Sequence, residues 1–453
     1  MLVHFIAIGG SAMHNLAIAL HQKGLTITGS DDEIFEPSRS RLAACNLLPA
    51  TQGWDVSRIT PNLDAVILGM HAKADNPELL RAKELGLKIF SYPEYLYEQS
   101  KDKVRIVIGG SHGKTTITAM ILHVFRHAGI DCDYMVGAQL EGFDVMVRLT
   151  GEARFMEIEG DEYLTSPIDL RPKFHLYKPD IALLSGIAWD HINVFPTFEN
   201  YINQFVIFIK QISEGGCLIY CDEDAELKRI CPGSGNGITI IPYAMPSSEI
   251  RNGVTYLHSG DQTFPLQVFG KHNLLNLNGA RQVCRQVGIS DTLFNEAIQT
   301  FKGASKRLEL IAKNEKRTVY KDFAHAPSKV KATLMAVKEQ FPECKVVACL
   351  ELHTYSSLNK DFLGHYAGTL DPADEALVYF NPHALQIKRL PAITPEQIRD
   401  GFANIKLEVF NDSARLRERL MKEESKDCVY LMMSSGNFDG INLAELAGKT
   451  FVE

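Results

Sequence analysis

At 453 residues, the chain is long enough for about three domains of some 150 residues each. Its 45% hydrophobic and 23% charged residues, with 33 glycines and 19 prolines, are ordinary for a globular protein and exclude a fibrous, low-complexity or disordered one. A formal net charge of -8 without any lysine- or arginine-rich block speaks against nucleic acid or an anionic membrane as the main partner. Small anionic ligands stay open, because backbone nests and helix ends hold those.

The first stretch, MLVHFIAIGGSAMHNLAIAL, has no basic flank, and glycines break its apolar run early. It reads as strand, turn and helix, not as a signal peptide. No uncharged apolar run reaches the roughly 18 residues of a membrane span, so the expectation is a soluble, cytoplasmic protein. LTITGSD follows as a second strand ending in Ser30 and Asp31, LDAVILGM as a third, NPELLRAKELG as a helix and LKIFSY as a fourth strand. Strands alternating with helices indicate parallel β-α-β units. The polar YEQSKDKV then suits a linker.

Next comes RIVIGGSHGKTTITAM, a buried strand entering a glycine-rich turn that opens a helix at Lys114. In such a turn consecutive N–H groups point inward and the helix dipole adds positive charge, which is how a backbone holds phosphate. Lys114 is placed to reach β/γ-phosphates and Thr115 to offer a hydroxyl to Mg2+. The general Walker pattern wants glycine at 108, where this chain has Ile108, so the loop is the shorter Gly110-Ser111-His112-Gly113-Lys114-Thr115.

Further strands follow in ARFMEIEG, DIALLSGIA and GCLIYCD. The first, continued as RFMEIEGDEY, ends in Glu157, Glu159, Asp161 and Glu162, either a grip for Mg2+ beside the loop or a solvated acidic turn. GIAWDHINVF places Asp190 and His191 at a strand end, where a histidine is a ligand or a structural residue. Between Cys231 and Phe269, short apolar runs separated by Gly, Asn and Ser suggest an antiparallel insertion or flank. FGKHNLLNLNGA then crowds His272, Asn273, Asn276 and Asn278 at a helix start, to read a base edge or to cap the helix. From about Lys302 the pattern alternates again through TVYKDFA, KVVACLEL, EALVYFNP and CVYLMMSSG. The nine cysteines show no C-x-x-C spacing, which leaves reduced thiols as the reading and no zinc site or disulfide framework.

G-S-H-G-K-T-T, then E-G-D-E, D-H, G-x-H-N-x-x-N, K-R-L-E and D-F-A-H-x-P, in that order over essentially the whole chain, resembles the Mur ligase family. Those are ATP-dependent ligases of bacterial cell-wall precursors, and HFIAIGGSAMHNLA…ITGSD looks like the branch whose substrate is UDP-N-acetylmuramate. The resemblance implies an α/β fold of three domains in series. These are a Rossmann-like N-terminal UDP-sugar domain (1–103), a central P-loop ATPase-type domain (104–301), and a C-terminal Rossmann-like α/β domain for the amino acid or peptide (302–453).

Residue by residue, the family pattern implies that Gly110, Ser111, His112, Gly113, Lys114, Thr115 and Thr116 form the ATP phosphate loop. Thr115 and Glu159 would serve Mg2+, and His191 a second Mg2+. His272, Asn273 and Asn276 would lie near adenine, Arg307 would reach the γ-phosphate, Asp322 would bind the ribose, and His325 would sit near the acceptor. Gly10, Ser11, Ser30, Asp31 and His71 would face the UDP-sugar. Ala326, Lys321 and Gly186 depart from the family pattern, and Phe205 stands where several branches carry a carbamylated lysine. The implied chemistry is phosphorylation of the lactyl carboxylate of UDP-N-acetylmuramate by ATP, followed by attack of an amine.

For that amine the run EGDEYLTSPIDLRPKFHLYKP, with Tyr163, Asp169, Arg171, Lys173, Phe174 and Tyr177, leans toward the branch that reattaches the tripeptide L-Ala-γ-D-Glu-meso-diaminopimelate during wall recycling. The ending LMMSSGNFDGI leans the same way, whereas Leu164 and His353 depart from it. The alternative is addition of L-alanine in de novo synthesis. A reading from another class is a non-catalytic regulatory protein that only binds nucleotide, against which Lys114, Glu159, His191 and Arg307 stand together.

Overall fold

The computed structural model describes residues 1–140, 142–143, 145–189, 194–234, 237–304, 307–423 and 427–448. These fall into two compact units, Met1–Met245 with Leu275–Ile298, and Pro246–Leu274 with Gln299–Glu453.

The first unit holds two parallel sheets. Four strands pair in the order Thr26–Ser30, Leu2–Ile6, Ala65–Leu68, Ile89–Ser91, all parallel. The apolar runs of the two middle strands are buried on both faces, as a sheet covered by helices requires. A polar cluster with fully buried His4, Ser30 and Glu78 at its centre crosses this layer. His4 Nδ1 lies 2.8 Å from Thr28 Oγ1 and its Nε2 3.3 Å from Glu78 Oε2, while Asp55 N–H donates to Glu78 Oε1 at 2.7 Å. Burial alone would raise the carboxyl of Glu78, but hydrogen bonds from His4, Ser30 and the Asp55 N–H hold it below the usual glutamate value.

The stretch read as a linker is pinned by Arg105. Its guanidinium donates to the carbonyls of Ser100, Lys101, Lys103 and Lys178 and pairs with Asp180 at 3.1 Å. The strand that follows is the middle of a seven-stranded sheet, in the order Thr239–Tyr243, Cys217–Cys221, Ile181–Leu184, Val104–Gly109, Phe155–Glu159, Cys132–Met135, Val147–Arg148. Only the last strand runs antiparallel to its neighbour. The carboxyl ends of Val104–Gly109, Phe155–Glu159 and Ile181–Leu184 therefore meet at one edge, and the loops leaving them are the ones that carry the candidate motifs.

Beneath that edge lies an aromatic layer. The rings of Phe174 and Phe208 stack at 4.7 Å, and Phe205 meets Phe174 edge-on at 5.5 Å and Tyr201 at 5.2 Å. All four are fully buried, and each phenylalanine contributes about 1.5–3 kcal/mol by leaving water. Phe205 is thus a core residue here, with no polar atom to offer a ligand.

The second unit has a six-stranded sheet in the order Glu309–Lys313, Arg317–Asp322, Cys428–Met433, Lys345–Leu352, Glu375–Phe380, Glu408–Phe410. All of its pairings are parallel except the first. Ser248–Arg251, Val254–Ser259 and Gln262–Leu266 form a separate antiparallel sheet. The antiparallel flank expected from Cys231 to Phe269 is therefore confined to this part. Thr239–Tyr243, inside the same stretch, is instead a parallel edge strand of the central sheet, a place that tolerates Pro242 because an edge residue needs no donor on its open side.

All nine cysteines are free thiols. Among the described residues no helix is long and apolar enough to cross a membrane.

Candidate functional site

The phosphate loop is positioned from both sides. Strand Val104–Gly109 is buried from Arg105 to Gly109, and the helix Lys114–His127 turns its apolar face to the same sheet. Between them the chain turns through Gly110 (φ 125°) and Gly113 (φ 81°), left-handed conformations that L side chains rarely adopt. A Cβ on Gly110 would collide with Ser185 Oγ, and one on Gly113 with Asn276 Oδ1. Gly113 offers the helix no side-chain cap, and the first N–H groups of a helix have no partner within it. The loop is fixed to the neighbouring strand end, with Ser111 N–H on Gly186 O at 2.9 Å and Ser185 N–H on Gly109 O at 3.1 Å.

Around the loop stand the acids of E-G-D-E. Thr115 Oγ1 donates to Glu159 Oε1 at 2.9 Å, and Gly137 N–H donates to Glu159 Oε2 at 2.8 Å. Lys114 Nζ folds back to Gly110 O at 2.7 Å and pairs with Glu162 Oε2 at 2.6 Å. Desolvation would lower the lysine, but Glu162, Asp161 and Glu159 together hold its pKa above the ordinary value, so it is charged at neutral pH. Desolvation would likewise raise Asp161, which Lys173, paired at 2.6 Å, and then Lys114 hold below the usual carboxylate range.

The expected site residues Gly110 to Thr116, Glu159 and Asn276 are thus brought together. His191, and Asp190 before it, lie outside the described residues. At the N-terminal sheet, Gly10 precedes the helix Ser11–Gln22, whose first residue is exposed. Asp31 Oδ2 accepts the Gly9 N–H at 2.7 Å, and burial, with Asp32 beside it, pushes its carboxyl above the usual range. His71 is exposed. Ser30 is fully buried, and its hydroxyl donates inward to Glu78. Its side chain is thus turned into the domain.

In the second unit, Asp322 Oδ2 accepts Leu308 N–H at 2.7 Å and Oδ1 accepts Ala324 N–H at 2.6 Å, and burial still raises its pKa. The Arg307 guanidinium lies 4.7 Å from the centre of the Phe323 ring, which His325 meets edge-on at 5.2 Å. Asn273, inside helix Lys271–Gln286, donates Nδ2 to Phe269 O at 2.9 Å, which is not the N-cap left open above, since a cap accepts a helix N–H. Partial burial of the His272 ring lowers its pKa to about 4, so it is neutral at pH 7. Two contacts of consequence had no mark in the sequence: Glu162, one of the candidate Mg2+ acids, pairs with Lys114, and the Tyr201 hydroxyl lies 2.9 Å from Ser111 Oγ and 3.2 Å from Glu162 Oε1.

These residues fit a nucleotide phosphate and a hard cation. Two glycines whose Cβ positions are blocked leave a backbone cradle, a charged lysine crosses it, and a hydroxyl and carboxylates supply the oxygen donors that Mg2+ takes. Gly113→Ala tests the cradle. The left-handed backbone and the collision with Asn276 are expected to cost about 1–3 kcal/mol of stability. Nucleotide affinity is expected to fall about tenfold or more in calorimetric titration, because the loop must shift to admit the methyl group.

Comparison with known proteins extends this geometry. The family descriptions "Mur ligase family, catalytic domain", "Mur ligase middle domain" and "Mur ligase, glutamate ligase domain" match residues 2–103, 108–284 and 306–436. A UDP-N-acetylmuramate--L-alanine ligase of Sulfurihydrogenibium sp. is 30% identical over 83% of this chain and 82% of its own length. Among solved structures, the UDP-N-acetylmuramate:L-alanyl-gamma-D-glutamyl-meso-diaminopimelate ligase from Neisseria meningitides aligns with 66% of this chain and 98% of its own, at TM-score 0.60 and 25% identity. The UDP-N-acetylmuramate-alanine ligase from Thermotoga maritima aligns over 97% and 96% at TM-score 0.69 and 20% identity, which speaks for the fold. The three-domain α/β architecture and the ligase signature agree: the chain belongs to the Mur ligase family, ATP-dependent ligases that form a carbon–nitrogen bond and release ADP and phosphate.

Proposed function

We propose that this chain transfers the γ-phosphoryl group of ATP to the lactyl carboxylate of UDP-N-acetylmuramate and joins the resulting acyl phosphate to an amine. The observation that carries this reading is the charged Lys114 held over the glycine cradle among Glu159, Asp161 and Glu162. A carboxylate and an amine do not condense in water unaided, and both reactants of the first step are anionic. Positioning and charge neutralisation are what the protein must supply. Lys114 and the loop N–H groups hold phosphate oxygens. Thr115 and Glu159 would hold Mg2+, and His191 is proposed for a second ion; bound there, the metal neutralises phosphate charge. Arg307 is proposed for the γ-phosphate, Asp322 for the ribose, His272, Asn273 and Asn276 for adenine, and His325 for the acceptor. Gly10, Ser11, Ser30, Asp31 and His71 are proposed for the UDP-sugar.

L-Alanine is the better supported acceptor, since curated relatives from 26% to 31% identical bear the name of the L-alanine ligase. One specific observation favours the tripeptide. Directly after the acids, Leu164–Ser166 and Asp169–Pro172 form an antiparallel hairpin bearing exposed Arg171, paired with Asp169 at 2.6 Å, and Lys173 follows it, paired with Asp161 at 2.6 Å. Cations beside the loop suit an acceptor with carboxylates of its own beyond the one L-alanine carries. Mass spectrometry of the product from an equimolar mixture decides between them. The L-alanyl product is expected; a dominant tripeptide product would move the enzyme to recycling, and neither product would overturn both acceptors.

A further inference from the structure

Tyr201 is fully buried beneath the phosphate loop, and none of the roles proposed above uses it. Its hydroxyl joins two parts of the site that the backbone keeps apart. Ala188 N–H donates to Ser111 Oγ at 2.9 Å, Ser111 Oγ lies 2.9 Å from Tyr201 OH, and Tyr201 OH lies 3.2 Å from Glu162 Oε1. The direction of the chain is forced. A carboxylate only accepts, so the tyrosine proton points at Glu162; the tyrosine oxygen must then accept from Ser111, whose own oxygen takes the Ala188 N–H. The other oxygen of Glu162 takes Lys114 at 2.6 Å. The carboxylate is 2% exposed, so it needs its donors.

That arrangement has a consequence for nucleotide binding. Lys114 now hydrogen-bonds to Gly110 O and Glu162, both protein groups. Turning its ammonium to a phosphate oxygen loosens its hold on a buried carboxylate, a change whose cost depends on what else stabilises that carboxylate. We propose that Tyr201 is a positioning residue for ATP: its hydroxyl holds Glu162 as Lys114 turns to the phosphates, and through Ser111 it keeps the loop in register. The proposal rests on the reading of Gly110 to Thr116 as a nucleotide site. Helix Phe198–Ile209 is well placed for the task, because Phe205 and the Phe195 ring, 5.3 Å away, pack on Tyr201 and leave its hydroxyl no freedom to turn aside.

The test is calorimetric titration of full-length protein with a non-hydrolysable ATP analogue and Mg2+, and separately with UDP-N-acetylmuramate. Tyr201→Phe, which removes one oxygen and keeps the ring, is expected to weaken the ATP analogue about tenfold, equivalent to about 1.4 kcal/mol, and to leave the sugar nucleotide unaffected. Ser111→Ala breaks the same chain from the loop side and carries the test if Tyr201→Phe does not fold. The double variant is expected to bind no more weakly than the weaker single one, since both remove one chain. ATP affinity unchanged in both single variants, additive losses in the double variant, or equal losses for both ligands would each overturn the role. If the wild-type protein binds no nucleotide, the reading of the loop itself fails, and Tyr201 loses its role with it.

Discussion

Lys114→Ala is expected to abolish ATP-dependent turnover, by about three orders of magnitude or more, in a protein that stays folded. The size of the effect follows from what the lysine does in a charged setting. Its ammonium is the cation brought over the glycine cradle in the first unit, and three carboxylates keep it protonated. Two anionic reactants meeting there without it would face uncompensated repulsion, and the alanine methyl supplies nothing in return. Stability falls as well, since Glu162 is left buried with one donor fewer; removing one partner of a buried pair costs about 3–5 kcal/mol when nothing relaxes. Tyr201 OH still donates to Glu162, which keeps the loss toward the lower end. Circular dichroism melts beside a coupled assay for ADP separate the two effects. A folded variant with wild-type turnover would remove Lys114 from the mechanism.

Glu159 carries the second large effect. Its oxygens take Thr115 Oγ1 and Gly137 N–H, and a Cβ on Gly137 would lie 2.8 Å from Oε1, so the backbone approaches the carboxylate as closely as glycine allows. Glu159→Ala empties that contact and removes the oxygen ligand proposed for Mg2+ at once, with an expected loss of about a hundredfold or more in turnover. Glu159→Gln distinguishes the two contributions. The amide keeps the size and one accepting oxygen but lacks the charge that Mg2+ requires. Equal losses in both variants, with the Mg2+ dependence moved to higher concentration, mark a metal ligand. Activity restored in the glutamine variant would mark a residue that only shapes the loop.

Much of this was legible in the chain itself, for reasons that can be located. VRIVI and DIALL announce parallel strands because a sheet covered on both faces needs unbroken apolar runs, and GGSHGKTT announces the loop because only glycine supplies its φ angles. Thr239–Tyr243 was misread because an edge strand is partly exposed and tolerates proline, so its texture is that of a hairpin. Glu78 in NPEL looks like a solvated helix charge. In the fold it is buried against His4, and that contact turns the Ser30 hydroxyl inward. Which acid of E-G-D-E takes Lys114 depends on side-chain directions at the strand end that spacing does not encode. Tyr201 sits among aromatic residues at helical spacing, and nothing in that pattern distinguishes a core ring from one whose hydroxyl reaches Ser111.

The most direct test of the central claim is ADP release by the purified protein with ATP and Mg2+, measured with and without UDP-N-acetylmuramate and an amine acceptor. Ligation through the phosphate loop predicts ADP release that requires UDP-N-acetylmuramate and an acceptor together and disappears in Lys114→Ala. ADP release at the same rate without UDP-N-acetylmuramate, or none with either L-alanine or the tripeptide, would contradict it.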